Sequence, residues 1–369
     1  MKILLSVMLG LAISAANAQN KQAKVSLVMP FCSKQIIANP QNPNTELGNL
    51  SREYYQGALI ALDSFERAKI AIRLSVFDTE NDSMTTVKIT QKPSFKESEL
   101  IIGPVRQGGN KVISVFTKKN EVYHVSPLMT FSKTKLDDPY WISANPDLPG
   151  YASILFKHIQ SLDTKANIIV VTDKSTIGKS MGAAFKQLAA DKKNQIRVVD
   201  YSSALDLTLY ASSSLNNHIV VAATNESIIN NVMRNIKDTT NMNGLNTYGL
   251  MQWMDGKNVD FALWQRCNTF FISPFFVDYT RPDVIAFIHA YREKFKTEPT
   301  EAAFKGYDQM MLFAGALNSY GKKFMGDLNE KPIKMLGTTY KFVKQKEGCY
   351  QNTYLNILHL NDFKLIPVN

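Results

Sequence analysis

The stretch IIVVTDKSTIGKSMGAAF, residues 168–185, runs from a β-branched segment through a short loop ending in Gly178-Lys179-Ser180 and into a helix-like segment. That layout is the one a phosphate-binding loop uses, where an earlier glycine lets the backbone wrap tightly round phosphate. The position of that glycine holds Asp173, whose carboxylate repels phosphate and whose Cβ restricts the turn. The segment imitates a nucleotide site without its chemistry. The five histidines (His124, His158, His218, His289, His359) are scattered, with no H-E-x-x-H and no i, i+4 pair, so metal catalysis is unsupported. No G-x-S-x-G elbow occurs. VMPFCSKQ follows the first β-rich run in place of a dinucleotide-binding glycine pattern. Asp78, Glu80 and Asp82 crowd the segment FDTENDS without completing a calcium loop, and a solvated turn fits them better. No catalytic constellation remains: the expectation is a non-enzyme without metal or cofactor.

The chain has 369 residues, 45% of them hydrophobic and 20% charged, enough for one large or two medium domains. Residues 1–18 read as a cleavable export leader, with Lys2 at the start, an apolar run over Ile3 to Ile13 and a small-x-small end at Ala16-Asn17-Ala18. The run is too short for a bilayer core of about 30 Å, and no later segment qualifies as a span. A soluble periplasmic protein is expected. Of its three cysteines one pair can form, and Cys267–Cys349 is the choice because both lie late in the chain, although sequence alone leaves connectivity open. The net charge is +10, but the lysines form no basic run interleaved with aromatics, which argues against nucleic acid.

Short β-rich runs alternate with helical stretches. KVSLVMP (24–30), IAIRLSVFD (70–78), ELIIGP (99–104) and EVYHVSP (121–127) form one series of strands. In SREYYQGALIALDSFERA (51–68), Tyr54, Tyr55, Ala58, Leu59, Leu62 and Phe65 mark a helical face, with Ser51 as N-cap and Glu53 in the first turn. A second series begins near residue 150, with strands at 167–173, 195–200, 218–225, 246–251 and 269–274. Two such series predict an α/β protein of two similar lobes, each a parallel sheet flanked by helices. Residues 281–321 read as two helices parted at Glu298-Pro299, and the tail as strands around Gly348. The expected lobes are 24–145 with 278–335, and 146–277 with 336–369.

In their order, VSLVMPF, EYYQGALIALDSF, IRLSVFDTENDS, ELIIGPV, VYHVSPL and VVTDKSTIGKSMGAAF resemble the type 1 periplasmic binding proteins. That family includes the leucine/isoleucine/valine receptors of ABC importers. FISPFFVDYTRPDVIAFIHAYREKFKTEPTEAAFKGYDQMMLFAGAL is similar to the family's closing helices, with Pro299 and Gly306-Tyr307-Asp308. The resemblance spans nearly all of 24–369 and makes Gly178 a helix-start glycine. It implies two lobes joined by three hinge strands that close on a ligand. WMDGKNVDFALWQRCNTFFISPFFVDY is closer in style to receptor-fold envelope proteins, some of which carry a peptidoglycan-binding LysM repeat; a lipoprotein activator of cell-wall synthases shares the fold.

Ligands of open α/β sheets sit beyond the carboxyl ends of strands. That rule selects Phe31, Asp78, Val105, Arg106, Ser126, Leu128 and Thr130 in the first lobe. In the second it selects Ser175, Ile177, Thr224, Asn225, Gln252 and Trp253. In amino-acid-binding relatives, hydroxyls and backbone N–H groups here hold a carboxylate; Ser126 and Thr130 are the nearest equivalents, unless Ser126 only shapes the turn at Pro127. Val105-Arg106-Gln107 replaces a small hydroxyl residue, and Arg106 is suited to clamp an anion. Trp253 either stacks on a ligand or plugs the core. Two functions follow: capture of a small polar solute, amino acid or short peptide, for a membrane permease complex; or an envelope role beside peptidoglycan-associated proteins. A monomer or weak dimer is expected.

Overall fold

A computed structural model describes residues 22–41, 45–130, 137–189, 195–237, 244–328, 331–346 and 348–369. The leader read over 1–18 lies outside the described residues. Two compact units emerge, one built from the chain up to Pro146 with Phe275–Tyr354, the other from Asp147–Pro274 with Leu355–Asn369.

The first unit starts with β1 (Ala23–Met29), α1 (Ser33–Ala38), α2 (Glu46–Arg67) and β2 (Ile72–Asp78). It continues through α3 (Ser83–Gln91), α4 (Pro93–Lys96), β3 (Leu100–Ile102), α5 (Gln107–Asn120), β4 (Tyr123–Thr130) and β5 (Trp141–Asn145). The α2 helix starts six residues earlier than its apolar pattern suggested, because Thr45 caps it: its side chain accepts from Gly48 N at 2.9 Å. Ser51 is not the cap. It is buried within α2 and its hydroxyl donates to Pro30 O at 3.1 Å. The buried stripe of α2 runs Tyr54, Gly57, Ala58, Ala61 and Phe65, a turn-by-turn face turned into the core of the first unit.

The second unit holds α6 (Leu148–Leu162), β6 (Asn167–Thr172), α7 (Thr176–Leu188), β7 (Gln195–Asp200), β8 (Asn217–Ala222), α8 (Glu226–Lys237), β9 (Leu245–Leu250), α9 (Phe261–Arg266) and β10 (Thr269–Ser273). Every residue of β6 and of β8 is buried, as strands covered on both faces must be. The chain then returns to the first unit as α10 (Pro282–Phe295) and α11 (Glu301–Gln309). A π-helical turn, Met310–Ala314, joins α11 to α12 (Gly315–Tyr320).

After the small antiparallel pair β11 (Ile333–Lys334) and β12 (Thr339–Tyr340), the chain ends in β13 (Phe342–Lys344), β14 (Tyr350–Asn352), β15 (Asn356–Asn361) and β16 (Lys364–Pro367). The two sheets share one plan. Their orders are β13-β14-β5-β4-β3-β1-β2 and β16-β15-β10-β9-β8-β6-β7. In both, the first strand lies between the second and third, so the connections diverge at β1/β3 and at β6/β8. The expected two-lobe α/β fold is therefore present, with one correction to its division. Residues 336–354 belong to the first unit. β14 (Tyr350–Asn352) pairs in parallel with β5, Tyr350 opposite Ile142, and β13 (Phe342–Lys344) pairs antiparallel with β14. Only β15 (Asn356–Asn361) and β16 (Lys364–Pro367) join the second sheet, β15 running antiparallel to β10.

The expected disulfide is absent. Cys267 and Cys349 fall in different units, and all three cysteines are buried thiols. Cys349 packs with Trp141, while Cys267 ends α9, where burial lifts its thiol pKa to about 11.

Candidate functional site

In the first unit the divergence point is framed by the loops after β1 and β3. Gly103 has φ +95°, and a Cβ there would strike the carbonyl of Val28, so this close turn demands glycine. Asn110, fully buried on α5, donates Nδ2 to Pro104 O at 2.9 Å and Arg106 O at 2.8 Å. Those two bonds hold the 104–106 loop and present Arg106 at the rim. Its guanidinium is exposed and has no hydrogen bond or ion pair to any described residue. Nothing in QGGNK marks Asn110 beforehand, because a lone helical asparagine has no sequence signature. Val105, by contrast, is 4% exposed and belongs to the core.

Asp78 does not point to a ligand. Its carboxylate accepts from Cys32 N (3.2 Å), Ser33 N (2.9 Å) and Glu80 N (2.8 Å). Burial opposes its ionisation, but these hydrogen bonds prevail and hold its pKa below the usual carboxylate value. Glu80 accepts from Ser33 Oγ and Lys34 N, and Asp82 caps α3 through Thr85 N. The three acids of FDTENDS are thus loop and helix caps. Phe31 is half-buried, edge-on to Tyr55 at 5.9 Å.

Ser126, expected at the rim, sits deeper in the sheet. It is fully buried, its Oγ meets no described partner, and its side chain lies on the same sheet face as that of His124. The β4–β5 pairing shifts register between Ser126 and Thr130, so the end of β4 is irregular. Leu128 packs partly buried on the main core, and the side chain of Thr130 lies outside the described part.

In the second unit the look-alike loop is explained by its own side chains. Asp173 accepts from Ser175 N at 3.0 Å and from the Ser175 hydroxyl; Ser175 Oγ in turn accepts from Gly178 N at 3.0 Å and caps α7. A Cβ on Gly178 would overlap Asp173. The space a phosphate would need is filled by a carboxylate, and Lys179 is exposed on the helix. Ile177 is half-buried.

After β8 and β9 a pocket of about 200 Å³ is lined by Thr224, Glu226, Gln252, Asp255 and Trp264, among others. Thr224, Gln252 and Asp255 are exposed. Trp264 is 1% exposed, and its Nε1 finds no acceptor among the described residues. Glu226 takes the backbone N–H groups of Asn258 and Lys257, which lower its pKa and tie down the loop closing the pocket. Asn225 accepts from Ile228 N and so serves the start of α8. Trp253 also borders this pocket, but it is 2% exposed, donates Nε1 to Ala223 O at 2.9 Å, and leaves Gly249 no room for a Cβ, so most of its ring packs as core. Among the described residues no group of three or more His, Cys, Asp or Glu is placed to hold a metal, and no helix is long and apolar enough to cross a membrane.

This architecture has many solved counterparts. An ABC transporter substrate-binding protein from Desulfitobacterium hafniense, in complex with Leu, superposes with a TM-score of 0.58 at 15% identity, over 94% of this chain and 100% of that one. LivJ from Streptococcus pneumoniae, a branched-chain amino acid substrate-binding protein with isoleucine bound, gives 0.51 at 16% identity over 94% of this chain and all of its own. Full-length LpoA from Haemophilus influenzae gives 0.62 at 14% identity, over 99% of this chain but 61% of LpoA. The fold is that of the type 1 periplasmic binding proteins. No curated protein sequence matches the chain. The family profile described as "Receptor family ligand binding region" matches residues 56–349. By that match the chain belongs to this receptor family of ligand-binding regions.

Proposed function

We propose that this protein is an exported, non-catalytic solute-binding protein that takes a small polar ligand, of the amino-acid or short-peptide class, at the strand-end rims of its two units. The observation that carries the reading is the polar pocket beyond β8 and β9 of the second unit, where the buried Trp264 Nε1 lacks an acceptor among the described residues; in the first unit Arg106 stands exposed and unpartnered after β3. Arg106 suits a carboxylate. Asp255 and Thr224 supply an anionic and a neutral acceptor for an ammonium group, and Trp264 Nε1 is a donor still lacking its acceptor. Delivery to an ABC importer is part of this proposal and is supported by the transport receptors the chain is similar to.

A second reading, an envelope role beside the cell-wall machinery, is favoured by the likeness to LpoA, which extends over 99% of this chain. One experiment separates them. The purified mature chain, expected to begin at Gln19, is screened by thermal shift against amino acids, short peptides and muropeptides. A specific ligand at 100 times its dissociation constant stabilises by about 2.7 kcal/mol. Capture of a transported solute predicts such a shift with an amino acid or peptide, lost in Arg106→Ala. A response to muropeptides alone would replace the first reading with the second.

A further inference from the structure

The surface of α3 to α5 carries chemistry that ligand capture leaves unused. Between the later turns of α3 and α5 and the short α4 runs an open groove of about 580 Å³ lined by Val87, Val112, Val115 and Phe116. Val115 is 74% exposed, and Phe116 is seated edge-on against the buried Phe95 at 4.9 Å. Lys96 and Lys119 also line the groove, and neither meets a described acid. Lys111, Val115 and Lys119 follow one another at four-residue spacing on α5, a charge–apolar–charge stripe spanning about 12 Å.

The charge is concentrated. Residues 83–120 hold six lysines and one arginine against two acids, a balance of +5, half of the chain's +10. Within this segment Glu97 is engaged by Lys24 and Arg73 and Lys118 by Asp137, and none of Glu97, Glu99 and Lys118 lines the groove. The groove also lies at the opposite end of the unit from the strand carboxyl ends, because the last turns of α5 lead back to the start of β4.

We propose that this groove docks an acidic amphipathic helix of a protein partner, its apolar ridge seated on Val87, Val112, Val115 and Phe116 and its carboxylates on Lys96, Lys111 and Lys119. Helix-in-groove recognition needs an apolar trough and flanking charges of the opposite sign, and both are present. A concave trough receives a protruding ridge better than a flat lipid surface. A second copy of this face would bring its lysines against these.

The test uses the full chain and three probes. One is a synthetic helical peptide with leucines at i, i+3, i+4 and i+7 and flanking glutamates. The others are the same peptide with lysines for glutamates, and phosphatidylglycerol vesicles. The acidic peptide is expected to bind by fluorescence anisotropy, and to bind more weakly as salt screens the lysines. Val115→Asp and Lys119→Glu should each weaken it at least tenfold while circular dichroism and melting temperature stay unchanged, since both side chains are exposed. The proposal is overturned if the acidic peptide does not bind or if both peptides bind alike. It is equally overturned if the variants bind undiminished, if only vesicles bind through these residues, or if the face proves by sedimentation to be a self-association surface.

Discussion

Gly57 on α2 and Gly306 on α11 lie where the two helices cross backbone to backbone. A Cβ on Gly57 would overlap the carbonyl of Ala303, and one on Gly306 would overlap the carbonyl of Tyr54. The pairing of 57 with 303 and 54 with 306 makes the crossing antiparallel. The Tyr54 hydroxyl then donates to Gln309 Oε1 at 2.7 Å, a further bond between the helices. The long return of the chain from the second unit is thereby anchored in the first.

At this crossing sterics and helix propensity pull in opposite directions. Replacing an interior helical glycine with alanine is normally worth about 1 kcal/mol of added stability. Here the new methyl meets rigid backbone, and overpacking of that kind outweighs the gain in propensity. Gly57→Ala and Gly306→Ala should each destabilise the protein by about 1–3 kcal/mol in urea unfolding. Gly326, which has nothing within 4 Å of its would-be Cβ, is the control: Gly326→Ala should be neutral or mildly stabilising. Equal behaviour of all three would mean the helices are not in backbone contact.

The cysteines give a chemical check on the tail. Cys32, Cys267 and Cys349 are 7%, 3% and 0% exposed thiols. The native protein should react slowly with a thiol reagent and yield three equivalents only when unfolded. Reductant should leave the melting temperature where it was. A reductant-dependent melt, or one titratable thiol in place of three, would restore the disulfide that the late positions of Cys267 and Cys349 had suggested.

Strand positions, the doubled β/α plan and the helices flanking Pro299 were legible because burial on both faces produces continuous β-branched runs such as IIVV and HIVVA. The strand Trp141–Asn145 was not: WISAN is short and ends in a residue whose side chain serves the turn, Asn145 Nδ2 donating to Pro127 O. The change of unit after Tyr354 was illegible too, since no glycine or proline stands there and the pairing of β14 with β5 joins residues some two hundred positions apart. At the candidate site, strand-end reasoning selects loops but says nothing of the direction of each side chain. Ser126 and Trp253 turn inward, Asp78 is consumed by loop hydrogen bonds, and Arg106, Thr224 and Gln252 stay open. Residue type says what a side chain is able to bind; the neighbours decide what it already has bound.

The Gly-Lys-Ser segment makes a prediction that separates imitation from function. If the loop is held by Asp173 and Ser175, Gly178→Ala should destabilise through its collision with Asp173, whereas Lys179→Ala should change stability by less than about 0.5 kcal/mol. ATP with magnesium should shift the melting temperature of neither the parent nor the Lys179 variant. A nucleotide-dependent shift abolished by Lys179→Ala would reinstate the phosphate loop.

His124 sets the expected response to acid. It is fully buried in β4, and burial, opposed only by the backbone of Gly103, pushes its pKa down to about 3. In the unfolded chain the ring titrates near 6.5, so below that pH the unfolded state takes up a proton that the folded state refuses. The stability that depends on a neutral ring is complete above pH 6.5 and drains away as pH falls toward 3, at about 1.4 kcal/mol per pH unit. Between pH 7 and pH 5 the parent should therefore lose about 2 kcal/mol more unfolding free energy than His124→Leu, which has no proton to refuse. His158, His218 and His359, also lowered by burial, leave a residual slope in both proteins. Urea titrations at the two pH values measure the difference directly, and parallel losses in parent and variant would show that another group governs the acid limb.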